Sequence, residues 1–131
     1  MINIFKYITL TESSLPSIHA EIKEIKDPYH PDTDLAVDLT FYNTNKERIA
    51  EASISGYNTD MPFLYNMEVF PKYRGQHYSN AIMSYLIKKY NPKQLTVRPS
   101  NKIAIHLYEK FGFRMYGDFM DDKIKMKEIR R

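Results

Sequence analysis

The sequence contains no cysteine, and this absence excludes a disulfide framework, a thiolate nucleophile and a zinc site with cysteine ligands. Only four residues are glycine, and neither GxxxxGK[ST] nor GxGxxG occurs, so the two common nucleotide-loop motifs are absent. No apolar run is long enough to cross a bilayer, and the opening segment MINIFKYITL lacks the basic region and cleavage site of a signal peptide. We therefore expect a cytoplasmic protein that does not enter membranes.

What the sequence does contain is typical of one globular domain. Its 131 residues, 43% of them hydrophobic, with eleven Tyr and seven Phe, are enough for one core and too few for two. The prediction is a single domain over residues 1–131. The net charge of +3 suits a polyanionic ligand but falls short of the dense basic surface of nucleic-acid-binding proteins, so nucleic acid is not the expected partner.

Hydrophobic periodicity predicts most of the elements. Alternation of apolar and polar residues predicts strands, and a spacing of three and four predicts helices, with a hairpin turn at TNKE and a helix-stopping glycine at Gly112. The order indicates an α/β or α+β protein with a single sheet, mostly antiparallel in its first half. The predicted strands are 2–9, 35–43, 48–58, 63–70, 94–98, 113–117 and 122–129, and the predicted helices are 78–90 and 101–113.

Residues 12–26 are open to two interpretations. Leu15, Ile18, Ile22 and Ile25 recur at helical spacing behind two serines, which favours a helix. The alternative is a strand over 17–26, because Ile18 and Ile22 also alternate with polar neighbours.

The stretch RGQHYS stands between a predicted strand and the helix at 78–90. A glycine-containing turn at the start of a helix presents free backbone N–H groups and the positive end of the helix dipole, which together favour an anion. Arg74 adds a guanidinium that suits phosphate oxygens, Gly75 permits a sharp turn, and Ser79 adds a hydroxyl. These residues are consistent with a phosphate site or with a plain surface connection.

Metal and hydrolase chemistry find little support in the sequence. The four histidines, His19, His30, His77 and His106, are scattered and show no ligand spacing, so no metal is expected. The GxSxG elbow of serine hydrolases is also missing.

A second stretch, NKIAIHLYEKFGF at 101–113, changes the interpretation of RGQHYS. Val69, Pro71 and Arg74 fit a strand ending in V-x-P that is followed by Q/R-x-x-G-x-G/A. The second stretch fits N-x-x-A-x-x-L-Y-x-K-x-G-F at every specified position. Over residues 63–116 the chain resembles the GNAT superfamily of N-acetyltransferases.

The resemblance implies a fold and a cofactor. The implied fold is a GNAT-like single mixed, mostly antiparallel sheet with splayed central strands and helices on both faces. The implied cosubstrate is acetyl-CoA, and the implied partner is an amine acceptor. The residues implied in cofactor binding are Met67, Val69, Arg74, Gly75, Gln76, His77, Tyr78, Ser79 and Asn101. His77 departs from the family pattern, since a glycine usually stands there, and Ser79 replaces the closing glycine or alanine.

The resemblance also implies catalytic roles. Tyr108 would place its hydroxyl near the CoA sulfur, where a phenol can protonate the departing thiolate. Glu68 is the nearest carboxylate for the role of base, and Asp60 or a main-chain carbonyl are open alternatives. Tyr57 and Tyr65 either line the acceptor channel or serve only as strand aromatics.

The expected function is therefore transfer of an acetyl group from acetyl-CoA to a primary amine by direct attack. The alternative is a catalytically weak or inactive protein of the same fold that binds CoA and acts on a macromolecular partner. The acceptor cannot be read from the sequence, and a homodimer is possible because dimers are common in the family.

Overall fold

The computed structural model describes residues 14–118 and 123–128, so the strand predicted at 2–9 and most of the acidic turn after Asp118 lie outside the described residues. The described elements are β1 His19–Lys26, β2 Leu35–Tyr42, β3 Arg48–Ser55, β4 Phe63–Val69, a short 3-10 helix Pro71–Tyr73, α1 Tyr78–Tyr90, β5 Gln94–Val97, α2 Lys102–Lys110, β6 Phe113–Asp118 and β7 Ile124–Glu128. The strands form one sheet in the order β1-β2-β3-β4-β5-β7-β6. Every pairing is antiparallel except that of β4 with β5, so the predicted mixed, mostly antiparallel sheet is confirmed.

The helix favoured over residues 12–26 is wrong, and the alternative strand is confirmed. β1 pairs with β2 along its whole length, from His19 opposite Tyr42 to Lys26 opposite Leu35. A short apolar pattern fits both periods, and the unpaired edge of β2 settles the choice by offering a backbone partner at every position. Neither of the described helices is long and apolar enough to span a membrane.

The core lies between one face of the sheet and the two helices. Leu39 faces Ala52 across β2 and β3, and Leu64 of β4 faces Ile54, so that apolar side chains from neighbouring strands share this face. Phe41 meets Tyr85 of α1 edge to face, with ring centroids 5.8 Å apart. We call this the helix face of the sheet.

Helix α2 packs on the helix face as well. Tyr108 of α2 contacts Phe113 at a centroid distance of 6.4 Å, and both residues belong to the same buried cluster as Phe41 and Leu64. Buried residues of both helices, among them Ile82 of α1 and Ile105 of α2, belong to this one cluster. The right-handed rule for crossovers between parallel strands agrees, since β4 to β5 and β5 to β6 proceed in the same direction along the sheet. The resemblance implied helices on both faces, but in the part of the chain that the structure describes both helices lie on the helix face.

The two central strands separate along their length. The parallel pairing of β4 and β5 is confined to Phe63 opposite Gln94 and Leu64 opposite Leu95. Beyond Leu64 the pairing of β3 with β4 shifts register, and Asn66 has a positive φ of 64°. This β-bulge turns the second half of β4 away from β5. The expected splayed central strands are confirmed, and a gap opens beside residues 66–69.

Both predicted helix ends are found. Asn91 takes left-handed angles at the end of α1, and its N–H bonds the carbonyls of Leu86 and Ile87. Gly112 follows α2 with a φ of 97°, a conformation that glycine adopts without steric cost.

Candidate active site

A cleft of about 620 Å³ lies beside the splayed half of β4. It extends from this strand, past the turn after the 3-10 helix, to the side of α2. Its lining residues are Asn66, Met67, Glu68, Val69, Tyr73, Arg74, Gly75, His77, Tyr78, Ser79, Asn101, Ile103, Ala104, Leu107 and Tyr108. The cleft thus brings together Tyr108, Glu68 and every residue implied in cofactor binding except Gln76, whose side-chain amide lies 3.4 Å from the carbonyl oxygen of Lys72. Asp60, the alternative base, is not among these lining residues.

The turn before α1 has the backbone geometry of an anion site. Gly75 has a φ of 80°, and a Cβ at this position would meet no atom of the described residues within 4 Å. The cap residue His77 makes no side-chain hydrogen bond to the helix end, and the first turn of α1 has no acidic residue. The first N–H groups of a helix have no intrahelical acceptor, and the helix dipole makes this end positive. The mouth of the cleft at Tyr78 and Ser79 therefore favours a negative group.

His77 adopts left-handed backbone angles, with φ 66° and ψ 12°. These are not the ordinary helical angles that a histidine adopts without strain. A non-glycine residue in this region carries a cost of roughly 1–2 kcal/mol because its Cβ crowds the following carbonyl. The glycine that usually stands here in the family would avoid this strain.

Arg74 is held by two contacts on the strand that precedes it. Its Nε donates a hydrogen bond of 2.7 Å to the carbonyl oxygen of Val69, and its terminal nitrogen lies 3.4 Å from Glu68 Oε2. Both side chains of the ion pair are about half exposed, so the pair itself adds little stability. The contacts instead fix where the guanidinium lies on the wall of the cleft.

Tyr108 is buried on α2, with 7% of its surface exposed, and lines the cleft. Burial raises the pKa of its phenol from 10.0 to about 12. The hydroxyl therefore stays protonated throughout the neutral range. A protonated phenol at the side of a cleft can donate a proton to a group that develops negative charge there.

Asn101 caps α2 at the rim of the cleft. Its Oδ1 accepts a hydrogen bond of 3.2 Å from the N–H of Ala104, as a typical N-cap does. A structural role is therefore established for the side-chain oxygen.

Sequence reasoning missed several residues of the site. The sequence around Asn66 gives no sign that this residue belongs to the site. Its positive φ arises from the register shift between β3 and β4, which depends on the tertiary structure. Ile103 is 85% exposed and lines the cleft beside Ala104 and Leu107. The helical spacing of apolar residues in 101–113 is compatible with an apolar wall of a cleft. The same spacing is equally typical of core residues, so it did not identify this wall.

Among the described residues, further cavities lie on the opposite face of the sheet. One, of about 390 Å³, lies at the start of β4 and includes Tyr29, Met61 and Phe63 in its lining. The other, of about 310 Å³, crosses the middle of β1 to β4 and is lined by Glu21, Lys23, Asp38, Leu39, Thr40, Glu51, Ala52, Ser53 and Asn66. We call the second cavity the acidic groove. Asn66 lines both the acidic groove and the large cleft.

The two tyrosines considered for an acceptor channel lie on different faces. Tyr57 packs against Tyr90 at the end of α1, and its hydroxyl bonds the carboxylate of Glu24. Tyr65 lies opposite Ser53, on the face of the acidic groove, and its ring contacts those of Tyr29 and Phe63. Tyr65 thus lies on the face of the acidic groove, and Tyr57 packs against a helix on the other face.

Asp27, His30 and Asp34 form a group whose potential ligand atoms lie within 4.8 Å of one another. Asp27 is fully buried and already satisfied, since its carboxylate accepts hydrogen bonds from Ser55 Oγ at 2.7 Å and from the N–H of Tyr29 at 2.8 Å. These contacts close the loop between β1 and β2. They account for the buried carboxylate without a metal ion.

The comparisons with known proteins agree with this geometry. The model of the acetyltransferase (GNAT) family matches residues 10–113. A relative in Escherichia coli K12, the [ribosomal protein bS18]-alanine N-acetyltransferase, is 34% identical over 80 residues, which is 57% of this chain and 54% of the relative. The chain thus spans about half the length of the curated relatives that it matches.

Solved structures show the same fold. A GNAT family acetyltransferase from Elizabethkingia anophelis, with acetyl-CoA bound, has a TM-score of 0.60 and 17% identity over 72% of this chain and 76% of that chain. Spermidine N-acetyltransferase from Vibrio cholerae, in complex with CoA and spermine, has a TM-score of 0.56 and 20% identity over 72% of this chain and 65% of that chain. Together with the match of the family model to most of the sequence, the cleft beside the splayed strand identifies this chain as a member of the GNAT acetyltransferase family.

Proposed function

We propose that this protein transfers the acetyl group of acetyl-CoA to a primary amine by direct attack. The observation that carries the proposal is the cleft. It brings together the splayed edge of β4, the N-terminus of α1, which favours an anion, and the buried phenol of Tyr108. The E. coli relative is named as an alanine N-acetyltransferase, and two structural neighbours hold acetyl-CoA or CoA. These relatives support the same class of reaction for this chain.

The cofactor would lie along the cleft in an extended form. The pyrophosphate would bind at the N-terminus of α1, against the N–H groups of Tyr78 and Ser79, with Arg74 as its counter-ion. The pantetheine arm would run beside Met67 and Val69, whose backbone groups lie on the splayed edge that β5 leaves unpaired. Gly75, Gln76 and His77 complete the turn around the phosphates, and Asn101 would reach the arm from the rim of α2.

The reaction needs a neutral amine, a polarised thioester and a proton for the leaving group. The ammonium first loses one proton. The amine nitrogen then forms a bond to the acetyl carbon, the bond from that carbon to sulfur breaks, and the electron pair of that bond goes to the sulfur. The sulfur receives a proton from Tyr108, and the second proton leaves the nitrogen through water and restores the phenol of Tyr108. The products are the acetylated amine and free CoA thiol.

Glu68 is our proposed base, acting through a water molecule. It lines the cleft and is half exposed, so a water can reach it, but its carboxylate also pairs with Arg74. Replacement by glutamine separates the two roles. Loss of a base lowers kcat at neutral pH and has less effect as the pH approaches the pKa of the amine, whereas loss of the ion pair alone changes the affinity for CoA.

The test of the proposed function measures binding and turnover separately. Calorimetric titration with CoA should show binding at micromolar concentration. Mixing with acetyl-CoA and a panel of amines should release free thiol. Absence of CoA binding would overturn the proposal.

One observation favours a second function. His77, in the turn before α1, has strained backbone angles, which suits a protein that binds CoA without turnover and acts on a macromolecular partner. In that case CoA binds in the titration but no amine of the panel releases thiol. The cytoplasmic location and the possible homodimer remain predictions.

A further inference from the structure

We propose that the acidic groove is the acceptor site and that its substrate is a small linear amine with two or more positive charges. This inference rests on the proposed function, because it places the acceptor of that same reaction. It concerns the face of the sheet opposite to the helix face.

The groove lies where an acceptor must approach. Asn66 lines both the cleft and the acidic groove, and it stands at the bulge where β4 leaves β5. A thioester beside Met67 on one side of this gap can therefore meet an amine on the other side. In the part of the chain that the structure describes, both helices pack on the other face of the sheet.

The strand register brings the carboxylates of the groove together. Glu21, Thr40 and Glu51 face one another across β1, β2 and β3, and Lys23, Asp38 and Ser53 form the next row. Side chains that face each other in this way have Cβ atoms about 5 Å apart. Three carboxylates and a single ammonium group line the groove, although the whole chain has a net charge of +3. The local charge is thus opposite to that of the protein.

The row contains an unfavourable contact that a cation would relieve. Glu51 lies directly opposite Glu68 across β3 and β4, and like charges in such positions are destabilising. Arg48 and Arg74 each approach one of the two carboxylates, at 3.2 Å and 3.4 Å, but both ion pairs are exposed and weak. A bound ammonium group between the rows would offset the repulsion.

Other contacts prepare the groove for such a ligand. Ser53 Oγ donates a hydrogen bond of 2.7 Å to Oδ1 of Asp38, which fixes this carboxylate in the lining of the groove. Tyr65 adjoins Ser53 and, with Phe63 and Tyr29, forms an aromatic cluster at the next part of the same face. Aromatic faces attract cations and also pack against alkyl chains. Carboxylates beside aromatic rings suit a chain of methylene groups that carries several ammonium groups.

The number of charges distinguishes this substrate from a peptide N-terminus. An α-amine presents a single charge, and that amine must be neutral when it attacks. A linear polyamine presents one amine for the reaction and keeps at least one ammonium group for the carboxylates. The groove therefore selects the polyamine through the charge that does not react.

The experiment compares spermidine with a peptide that begins with alanine and with propylamine, and follows the release of CoA thiol. We expect kcat/KM for spermidine to exceed both others by about tenfold or more, the effect of one hydrogen bond to a charged group. Asp38→Asn and Glu51→Gln should each raise KM for spermidine by about tenfold while the Kd of CoA stays within about twofold. Asp32→Asn is the matched control, because Asp32 is exposed and does not line the groove.

A binding measurement provides a second readout. Calorimetric titration of spermidine into the complex with CoA should show binding that weakens with added salt, and each groove variant should reduce it. Circular dichroism verifies that the variants are folded, and Glu51→Gln tests the groove independently of the hydrogen bond between Ser53 and Asp38.

The outcomes separate the two proposals. If thiol is released but the alanine peptide or propylamine is the better acceptor, or if the groove variants act like Asp32→Asn, the groove is not the acceptor site while the acetyltransferase stands. If CoA does not bind and no amine releases thiol, both proposals are wrong.

Discussion

Arg74 donates a hydrogen bond of 2.7 Å from its Nε to the carbonyl oxygen of Val69, so that the guanidinium folds back along the strand that precedes it. The contact closes the turn through the 3-10 helix from one end to the other. It places a fixed cation on the wall of the cleft, beside the positive end of α1. A guanidinium can hold this bond and still offer further N–H groups to an anion.

The first prediction concerns that geometry. Arg74→Lys keeps the charge but loses the planar fork, so it should raise the Kd of CoA by about tenfold. Calorimetric titration measures the effect. Lys72→Gln removes a charge from the same turn without touching the cleft, and should change the Kd by less than about twofold. Equal effects of both variants would mean that net charge, and not the held guanidinium, attracts the cofactor.

Tyr108→Phe should lower kcat by about 100-fold, the range for loss of a general acid, and leave the Kd of CoA nearly unchanged. Tyr90→Phe is the matched control, because burial also raises the pKa of Tyr90 to about 12 although it lies outside the cleft. The raised pKa of Tyr108 keeps its proton in place as pH rises, so the rate should show no loss from its ionisation up to about pH 10. Equal kinetics for wild type and Tyr108→Phe would remove this residue from the mechanism.

Substitution of His77 should separate backbone strain from the effect of its ring. His77→Gly and His77→Ala both remove the ring, but only glycine adopts a φ of 66° without steric cost. We expect the free energy of unfolding, measured with urea, to be about 1 kcal/mol higher for the glycine variant than for the alanine variant. Comparison of wild type with the alanine variant in CoA titrations then reports the ring alone. Equal stability of the two variants would show that the turn relaxes to other angles.

Asp27→Asn should reduce the free energy of unfolding by about 1–3 kcal/mol at neutral pH, because a buried carboxylate loses its hydrogen bonds. Burial by itself raises the pKa of Asp27, but the hydrogen bonds from Ser55 and from backbone N–H groups outweigh burial and lower the pKa below 3.8. The carboxylate therefore contributes stability above the unfolded pKa, and this contribution is lost as pH falls through the lower native value.

Urea unfolding from pH 7 to pH 2 tests the prediction for Asp27. The difference between wild type and Asp27→Asn should be constant down to about pH 4 and shrink below it. Asp32→Asn, in the same loop but exposed, should show almost no difference at any pH. A difference that persists at pH 2 would assign the loss to shape and not to charge.

Local patterns determined much of this fold. The alternation over β2 to β4, the helical spacing of α1 and α2, and the stops at Asn91 and Gly112 all appear in the structure as predicted. These features depend on neighbouring residues, for which sequence order and spatial order agree. Most residues of the cleft could likewise be predicted from the sequence, because they belong to two short motifs.

Pairing between distant strands decided the rest. Residues 19–26 carry an apolar pattern that fits a helix, and only the edge of β2 makes them a strand. The positive φ of Asn66 arises where the register between β3 and β4 shifts, so the local sequence does not predict the gap between the cleft and the acidic groove. The sequence by itself determined most of the elements and the two motifs that line the cleft, since both depend on short-range geometry. Only the tertiary structure brought Glu21, Asp38 and Glu51 into one groove, because register sets which side chains face one another across strands.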